Sequence, residues 1–386
     1  MKNPTQEIYL DNNATTRPAP QVVETVLEFL TSCYGNPSSI HSRGARAREA
    51  LAQAREHVAS LVGASQEQVL FTSGGTEANN LAINGMGAAD ARHFVTTEAE
   101  HSSILNKAHV LEKNGAKVTY LPVDGDGRVS TPGLKEVLCD SVDLVSIHWV
   151  NNETGVMQQV EELGNLCRKC RVLFHVDAAQ ALGKVPIDFS SLPIDILTFS
   201  AHKVHGPQGV GALCFKNIED IRPVLFGGDQ ERFIRPGTEN LPGIAGFGKA
   251  AAIRQKDFSE TRKHMENLRN IFERKLKDAF PELSVNGDSF NRVCNTTNIR
   301  FKGIDGMALM ARLDREGIIC SQTSACKSSR PEPSHVLLAM GLSEEEAFAS
   351  VRFSFSVLNT EDEAEIAADI VVDSYGKLLA FERLET

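Results

Sequence analysis

Seven short apolar runs recur through the first two thirds of the chain, and stretches with helical spacing fall between several of them. No other feature limits the fold as strongly. The runs are Val69–Thr72, His93–Thr96, Lys117–Tyr120, Leu144–Ile147, Leu173–Val176, Ile196–Phe199 and Gly211–Phe215. Helical patterns cover Ala45–Leu61, Thr76–Met86, Ser103–Lys113 and Val160–Lys169. Repeated strand–helix alternation predicts an α/β fold with a mostly parallel seven-stranded sheet and helices on both faces. Such sheets bind ligands at the carboxyl ends of their strands.

The last third changes rhythm. A long helix is predicted from about Ser259 to Phe280, with strands near Thr297–Phe301 and Val351–Ser354, a helix over Gly306–Glu316, and a closing helix from Glu361. This reads as a smaller α+β domain built from residues 1–14 and 259–386, beside a large domain over 15–258. An irregular loop at about 318–333 belongs to the smaller one. A length of 386 residues suits two domains better than one small core.

A net charge of -10 argues against nucleic-acid binding through the general surface potential. No apolar run approaches the ~18 residues of a membrane span, and Met1–Glu7 lacks the apolar core of a secretory signal. The eight cysteines are scattered, as in a reduced cytoplasmic protein. Cys167 and Cys170 form a lone C-x-x-C without the second pair a zinc ribbon needs, so no metal site is expected.

Polar motifs follow the apolar runs. Ser200-Ala201-His202-Lys203 places an amine just past a strand end, where partial desolvation would lower its pKa and make it a Schiff-base nucleophile. A lone lysine there is more often a solvated surface residue. Ser200 and His202 could hydrogen-bond a phosphate. Asp177 ends a strand, either as the N-cap of a helix over Ala178–Leu182 or as the partner of a protonated pyridinium nitrogen. Gly74-Gly75-Thr76 offers backbone N–H groups and a hydroxyl to an anion. His101 would stack on an aromatic cofactor, shuttle a proton, or serve structure alone.

Asn151–Gly155 is a polar loop suited to a carboxylate or ring oxygen, and Arg235 to Asn240 places Arg and Thr for an anion. Phe226–Asp229 reads as a site loop. Arg352 is a bidentate candidate for a substrate α-carboxylate. Cys326 is flanked by small polar residues, with Lys327 and Arg330 close by. It is either a thiol of lowered pKa on an exposed, mobile loop or an incidental surface cysteine.

Taken in order, these segments resemble the class V aminotransferase group of pyridoxal-phosphate enzymes, specifically cysteine desulfurases of the NifS/IscS kind. The matching runs are Tyr9–Thr16, Gly35–Ser39, Thr72–Asn80, Glu100-His101, Asn151–Gly155, His175–Gln180, Ser200–Gly211 and Ser324–Cys326. The resemblance implies a fold-type-I homodimer in which Lys203 carries pyridoxal 5'-phosphate covalently and Asp177 pairs with the pyridinium nitrogen. Gln180 would contact the ring hydroxyl and His101 stack on the ring. Gly75, Thr76, Ser200 and His202 would hold the phosphate, with Thr238 reaching in from the other subunit. Asn152 and Arg352 would anchor the substrate carboxylate.

The implied reaction converts L-cysteine to L-alanine and leaves the sulfur as a persulfide on Cys326, the nucleophile. An acceptor protein, an iron–sulfur scaffold or a thiolation enzyme, would then take it. The alternatives are a selenocysteine lyase, another class V lyase or aminotransferase, or a noncatalytic partner in a sulfur-transfer complex. The chain departs from the family pattern at Gln322-Thr323, where the loop usually has a glycine, and at Lys327, Arg330–Pro333, Asp229 and Pro236. It also ends at Thr386 without the extension through which housekeeping members engage their scaffold.

Overall fold

The computed structural model describes residues 7–85, 93–138, 141–322 and 332–385. A short strand, β1 (Ile8–Tyr9), leads into helices α1 (Pro20–Thr31) and α2 (Ser42–Val62). Strand–helix alternation then runs through β2 (Val69–Thr72), α3 (Gly75–Gly85), β3 (His93–Thr97), α4 (Ser102–Lys113), β4 (Lys117–Leu121), α5 (Thr131–Val137), β5 (Leu144–His148), α6 (Val160–Lys169) and β6 (Leu173–Asp177). Strands β7 (Ile196–Ser200) and β8 (Gly211–Phe215) complete the large sheet, and helices α7 (Leu241–Lys256) and α8 (Phe258–Ala279) follow.

The sheet has seven strands in the order β2-β8-β7-β6-β5-β3-β4, and β8 alone runs antiparallel to its neighbours. The architecture is the expected α/β one. Its strands are apolar on both sides because helices cover both faces. Val69 and Phe71 join the core cluster that includes Ala54, Val58 and Phe247, whereas Leu70 between them joins the cluster of Leu81 and Ile104.

The remainder comprises β9 (Ser284–Val285), β10 (Thr296–Arg300), α9 (Gly306–Arg315), β11 (Ile318–Ile319), α10 (His335–Ala339), α11 (Glu344–Phe348), β12 (Ser350–Ser354) and α12 (Glu361–Glu385). Strands β12, β10 and β9 form a three-stranded antiparallel sheet. A separate core cluster around Phe272, Phe301, Phe353 and Tyr375 packs on it, and Ile8 and Leu10 from the chain's start join that cluster. Strand β1 pairs with β11, so the N-terminal segment is tied to the last third before it crosses to the large sheet.

One expectation needs correction, and one helix escaped the sequence reading. No helix follows Asp177: residues 179–184 form turns, ended by Gly183 at φ 69. The turns keep Gln180 on the same side of the sheet as Asp177, among the pocket-lining residues. Helix α7 went unread because Gly243, Gly246 and Gly248 interrupt its pattern. Those glycines allow close packing, since a Cβ on Gly248 would lie 2.5 Å from the Ala54 Cα of α2.

Candidate active site

The carboxyl ends of β2, β5, β6 and β7 open onto one pocket. It is lined by Gly75, Thr76, His101, Asn152, Asp177, Gln180, Ser200, His202, Lys203 and Arg352, ten of the residues singled out from sequence. Two are not placed there. Thr238 is exposed and does not line the pocket of its own chain, and Cys326 lies outside the described residues.

Lys203 ends a single 3₁₀ turn that follows β7. Its Nζ donates to the carbonyls of Asn13, at 2.6 Å, and Ala14, at 2.9 Å. The N-terminal segment is therefore a wall of the site. The carbonyl of His202 beside it accepts from the Thr16 N–H at 2.9 Å, which locks the two segments together. Burial, reinforced by Lys203 and Lys184, pushes the His202 imidazole down to about 4, so it is neutral at pH 7.

Asp177 is only 8% exposed and accepts from two donors: the Ala179 N–H at 2.9 Å on Oδ1 and Asn79 Nδ2 at 2.8 Å on Oδ2. Asn79 sits on α3 and receives a hydrogen bond on its carbonyl from Thr198 Oγ1. Thr198 in turn lies 3.1 Å from His175 Nε2, and Ser146 Oγ lies 2.8 Å from His175 Nδ1. Burial drives His175 down to about 4. The directions then follow: Ser146 donates to Nδ1, the Nε2–H donates to Thr198, Thr198 to Asn79, and Asn79 to Asp177. Every bond in the chain points toward the carboxylate.

The same Asn79 amide donates to Ser103 Oγ at 2.9 Å. Ser103 Oγ and its backbone N–H both reach His101 Nδ1, at 2.8 and 3.1 Å. The backbone N–H can only donate, so Nδ1 accepts and the proton of the neutral ring sits on Nε2. Burial lowers the His101 pKa, consistent with that neutral form. Glu100 is fully buried and engages Thr97 Oγ1 and the backbone and Nδ1 of His148.

At the other end of the pocket, Arg352 is 1% exposed. Its Nη1 donates to the Asn152 carbonyl at 3.0 Å and its Nη2 to Asp11, leaving Nε without a partner among the described residues. Part of the guanidinium is thus already committed. Arg235, expected to face an anion, instead pairs with Glu77 of α3 at 2.8 Å. Gln180 donates to the Asn13 carbonyl and accepts from Lys184 Nζ, both at 2.9 Å.

Sequence reading missed Asn13, Asn79, His148 and Lys184. Asn79 stood inside the run Thr72–Asn80, and His148 extends the apolar strand candidate Leu144–Ile147 by one residue. A polar side chain at such a strand end was the available signal.

The donor set fits pyridoxal phosphate. Free N–H groups of the first turn of α3, with Thr76 and Ser200, face one end of the pocket. An oriented carboxylate faces the middle, and an amine stands beside it. The chain matches the family described as Aminotransferase class-V over residues 8–366. It is 44% identical over 375 residues to a cysteine desulfurase of Trichormus azollae, covering 97% of this chain and 94% of that one. It is 42% identical to cysteine desulfurase IscS of Clostridium botulinum, covering 95% and 94%. A solved NifS-like protein superposes with a TM-score of 0.90 at 35% identity, covering 97% of this chain and all of that one.

Proposed function

This chain belongs to the aminotransferase class-V family, and on that premise we propose that it is a cysteine desulfurase: it takes sulfur from L-cysteine, releases L-alanine and passes the sulfur on. The observation that carries the site assignment is the convergence of Lys203, Asp177 and His101 on one pocket with an anion cradle at its edge.

Pyridoxal phosphate bound there supplies an electron sink that weakens the bonds around the α- and β-carbons of an amino acid. The chain's own residues do the rest. Gly75, Thr76, Ser200 and His202 hold the phosphate. Asp177, kept an acceptor by Asn79 and Ala179 N–H, holds the proton of the ring nitrogen, and Gln180 contacts the ring hydroxyl. His101 covers the ring with a neutral imidazole. Lys203 would carry the cofactor on Nζ and, once the substrate amine has replaced it there, would move the substrate α-proton with the freed amine. Arg352 Nε and Asn152 receive the substrate carboxylate. The Cys326 thiolate would form an S–S bond to the substrate sulfur as the Cβ–S bond breaks. The electron pair would stay with the carbon fragment, which takes up protons and leaves as L-alanine, and a persulfide would remain on Cys326.

The working unit is a homodimer in which Thr238 serves the opposite subunit's phosphate. The persulfide goes to an acceptor protein, an iron–sulfur scaffold or thiolation enzyme, in the cytoplasm. The six described cysteines are all free thiols, which supports a reducing compartment.

Alanine release from L-cysteine, with sulfide freed from the persulfide by an added thiol reductant, tests the reading. The wild type should be yellow and active. Borohydride should bleach the wild type and fix the cofactor to Lys203, Lys203→Ala should lose that fixation, and Cys326→Ala should keep the colour and lose desulfuration. Full activity in the Cys326→Ala protein would overturn the nucleophile assignment.

A further inference from the structure

His148 ends β5 and stands in register with Asp177 of β6, so both side chains leave the same face of the sheet at the ring end of the pocket. It is 4% exposed. Its Nδ1 lies 3.0 Å from Glu100 Oε1, a carboxylate that also accepts from Thr97 Oγ1 and from the His148 backbone N–H. Those donors leave Glu100 as acceptor, so the proton of that bond sits on Nδ1. The opposite nitrogen, Nε2, is buried and has no hydrogen-bond partner among the described residues.

Asp177 is not its partner: Oδ1 accepts from the Ala179 N–H and Oδ2 from Asn79, and no hydrogen bond joins either oxygen to Nε2. Burial alone would depress the His148 pKa, but the Glu100 carboxylate outweighs it and holds the imidazole above its usual value. In its protonated form the ring has one N–H anchored on a buried carboxylate and its second N–H left for the pocket. A buried donor without a partner is costly, and native proteins rarely leave one unused.

We propose that His148 is a ligand-binding residue of this pocket, presenting Nε2–H to an anionic oxygen of the bound molecule beside Asp177, with Glu100 as its orienting base. This deepens the proposed desulfurase reading and rests on it. Two oxygens have the required chemistry, the ring phenolate of the cofactor and the carboxylate of the amino acid.

Two substitutions separate the nitrogens. The amide of His148→Asn can replace Nδ1 on Glu100 while deleting Nε2, whereas the amide of His148→Gln reaches the position of Nε2. Pyridoxal phosphate is titrated into cofactor-stripped protein by visible absorbance, and KM for L-cysteine is measured on the loaded enzyme, with thermal unfolding of each variant alongside. H148N is expected to weaken one of the two by about tenfold to a hundredfold, the range of a charged hydrogen bond. H148Q is expected to lose much less.

Weaker cofactor binding assigns the oxygen to the ring, and a higher KM alone assigns it to the substrate. H148N matching the wild type in both would overturn the assignment. So would equal losses in H148N and H148Q that track their thermal stability, because Nε2 would then have no ligand role. The underlying reading fails separately: a wild type that takes up no pyridoxal phosphate sinks the site itself, and His148 with it.

Discussion

Asp177 and Gln180 owe their orientation to hydrogen bonds with neighbouring residues. Asn79 is the clearest case, since one amide serves Asp177, Ser103 and Thr198 together. Asn79→Leu keeps the bulk and removes all three bonds. It is expected to lower kcat by tenfold or more, from a cost of about 1–3 kcal/mol for the stranded polar groups. The pH at which the cofactor's visible band changes should move as well, which a purely structural loss would not produce.

Lys184 holds Gln180 from the far side. Burial is the main reason its amine falls to about 7, with Lys203 and Arg254 adding to the effect against a counter-pull from Cys294. Between about pH 7 and the ordinary lysine range, the folded protein keeps the amine neutral while the unfolded chain protonates it. The unfolded state then binds more protons, so stability rises with pH in that window, by at most about 1.4 kcal/mol per unit. Denaturant unfolding at pH 7 and pH 9 should show the slope in the wild type, and Lys184→Met should remove it.

At the scale of elements, the large sheet was legible and the site only partly so. All seven strands of the sheet match the apolar runs to within one residue at either end, because burial on both faces forces continuous hydrophobicity. Motifs at those strand ends were legible for the same reason. What escaped was the pairing across elements. Asn79 meets Asp177 from 98 residues away and His148 meets Glu100 from 48, and no local pattern encodes which polar side chain a crossover will deliver. The β8 start shows how tightly elements are coupled. Gly211 faces Ser200 and Thr72 in the ladder, and a Cβ there would come within 2.7 Å of the Gly74 Cα and 2.6 Å of the Phe199 carbonyl. Neither backbone can yield without moving the loop that opens α3. Gly211→Ala is therefore expected to weaken pyridoxal phosphate binding at least tenfold, read as the dissociation constant by absorbance titration. The expectation fails if cofactor affinity holds while only the melting temperature drops.

Across the whole molecule, several large apolar side chains are exposed. Val23, Leu27 and Leu30 form an outward stripe on α1 and are 53–61% exposed, while Ile40 at 98% and Phe226 at 89% lie uncovered in the loops. Exposed Thr238 lies in the segment that also carries Phe226 and Phe233. On the proposed homodimer reading, a second copy would cover these residues, and its two-fold interface would bring each Thr238 to the other subunit's phosphate cradle. Leu27→Glu with Ile40→Glu should give a monomer by light scattering that binds pyridoxal phosphate poorly. Mixed dimers test the exchange directly. Lys203→Ala subunits have no amine, and Thr238→Val subunits lack the donated hydroxyl, so either homodimer should be impaired at both sites. Refolded together in equal amounts, half of the dimers would be mixed. Each mixed dimer would hold one site with an intact Lys203 from one chain and an intact Thr238 from the other, so about a quarter of wild-type activity should return. If Thr238 instead serves its own chain, every site keeps one of the two defects and mixing restores nothing.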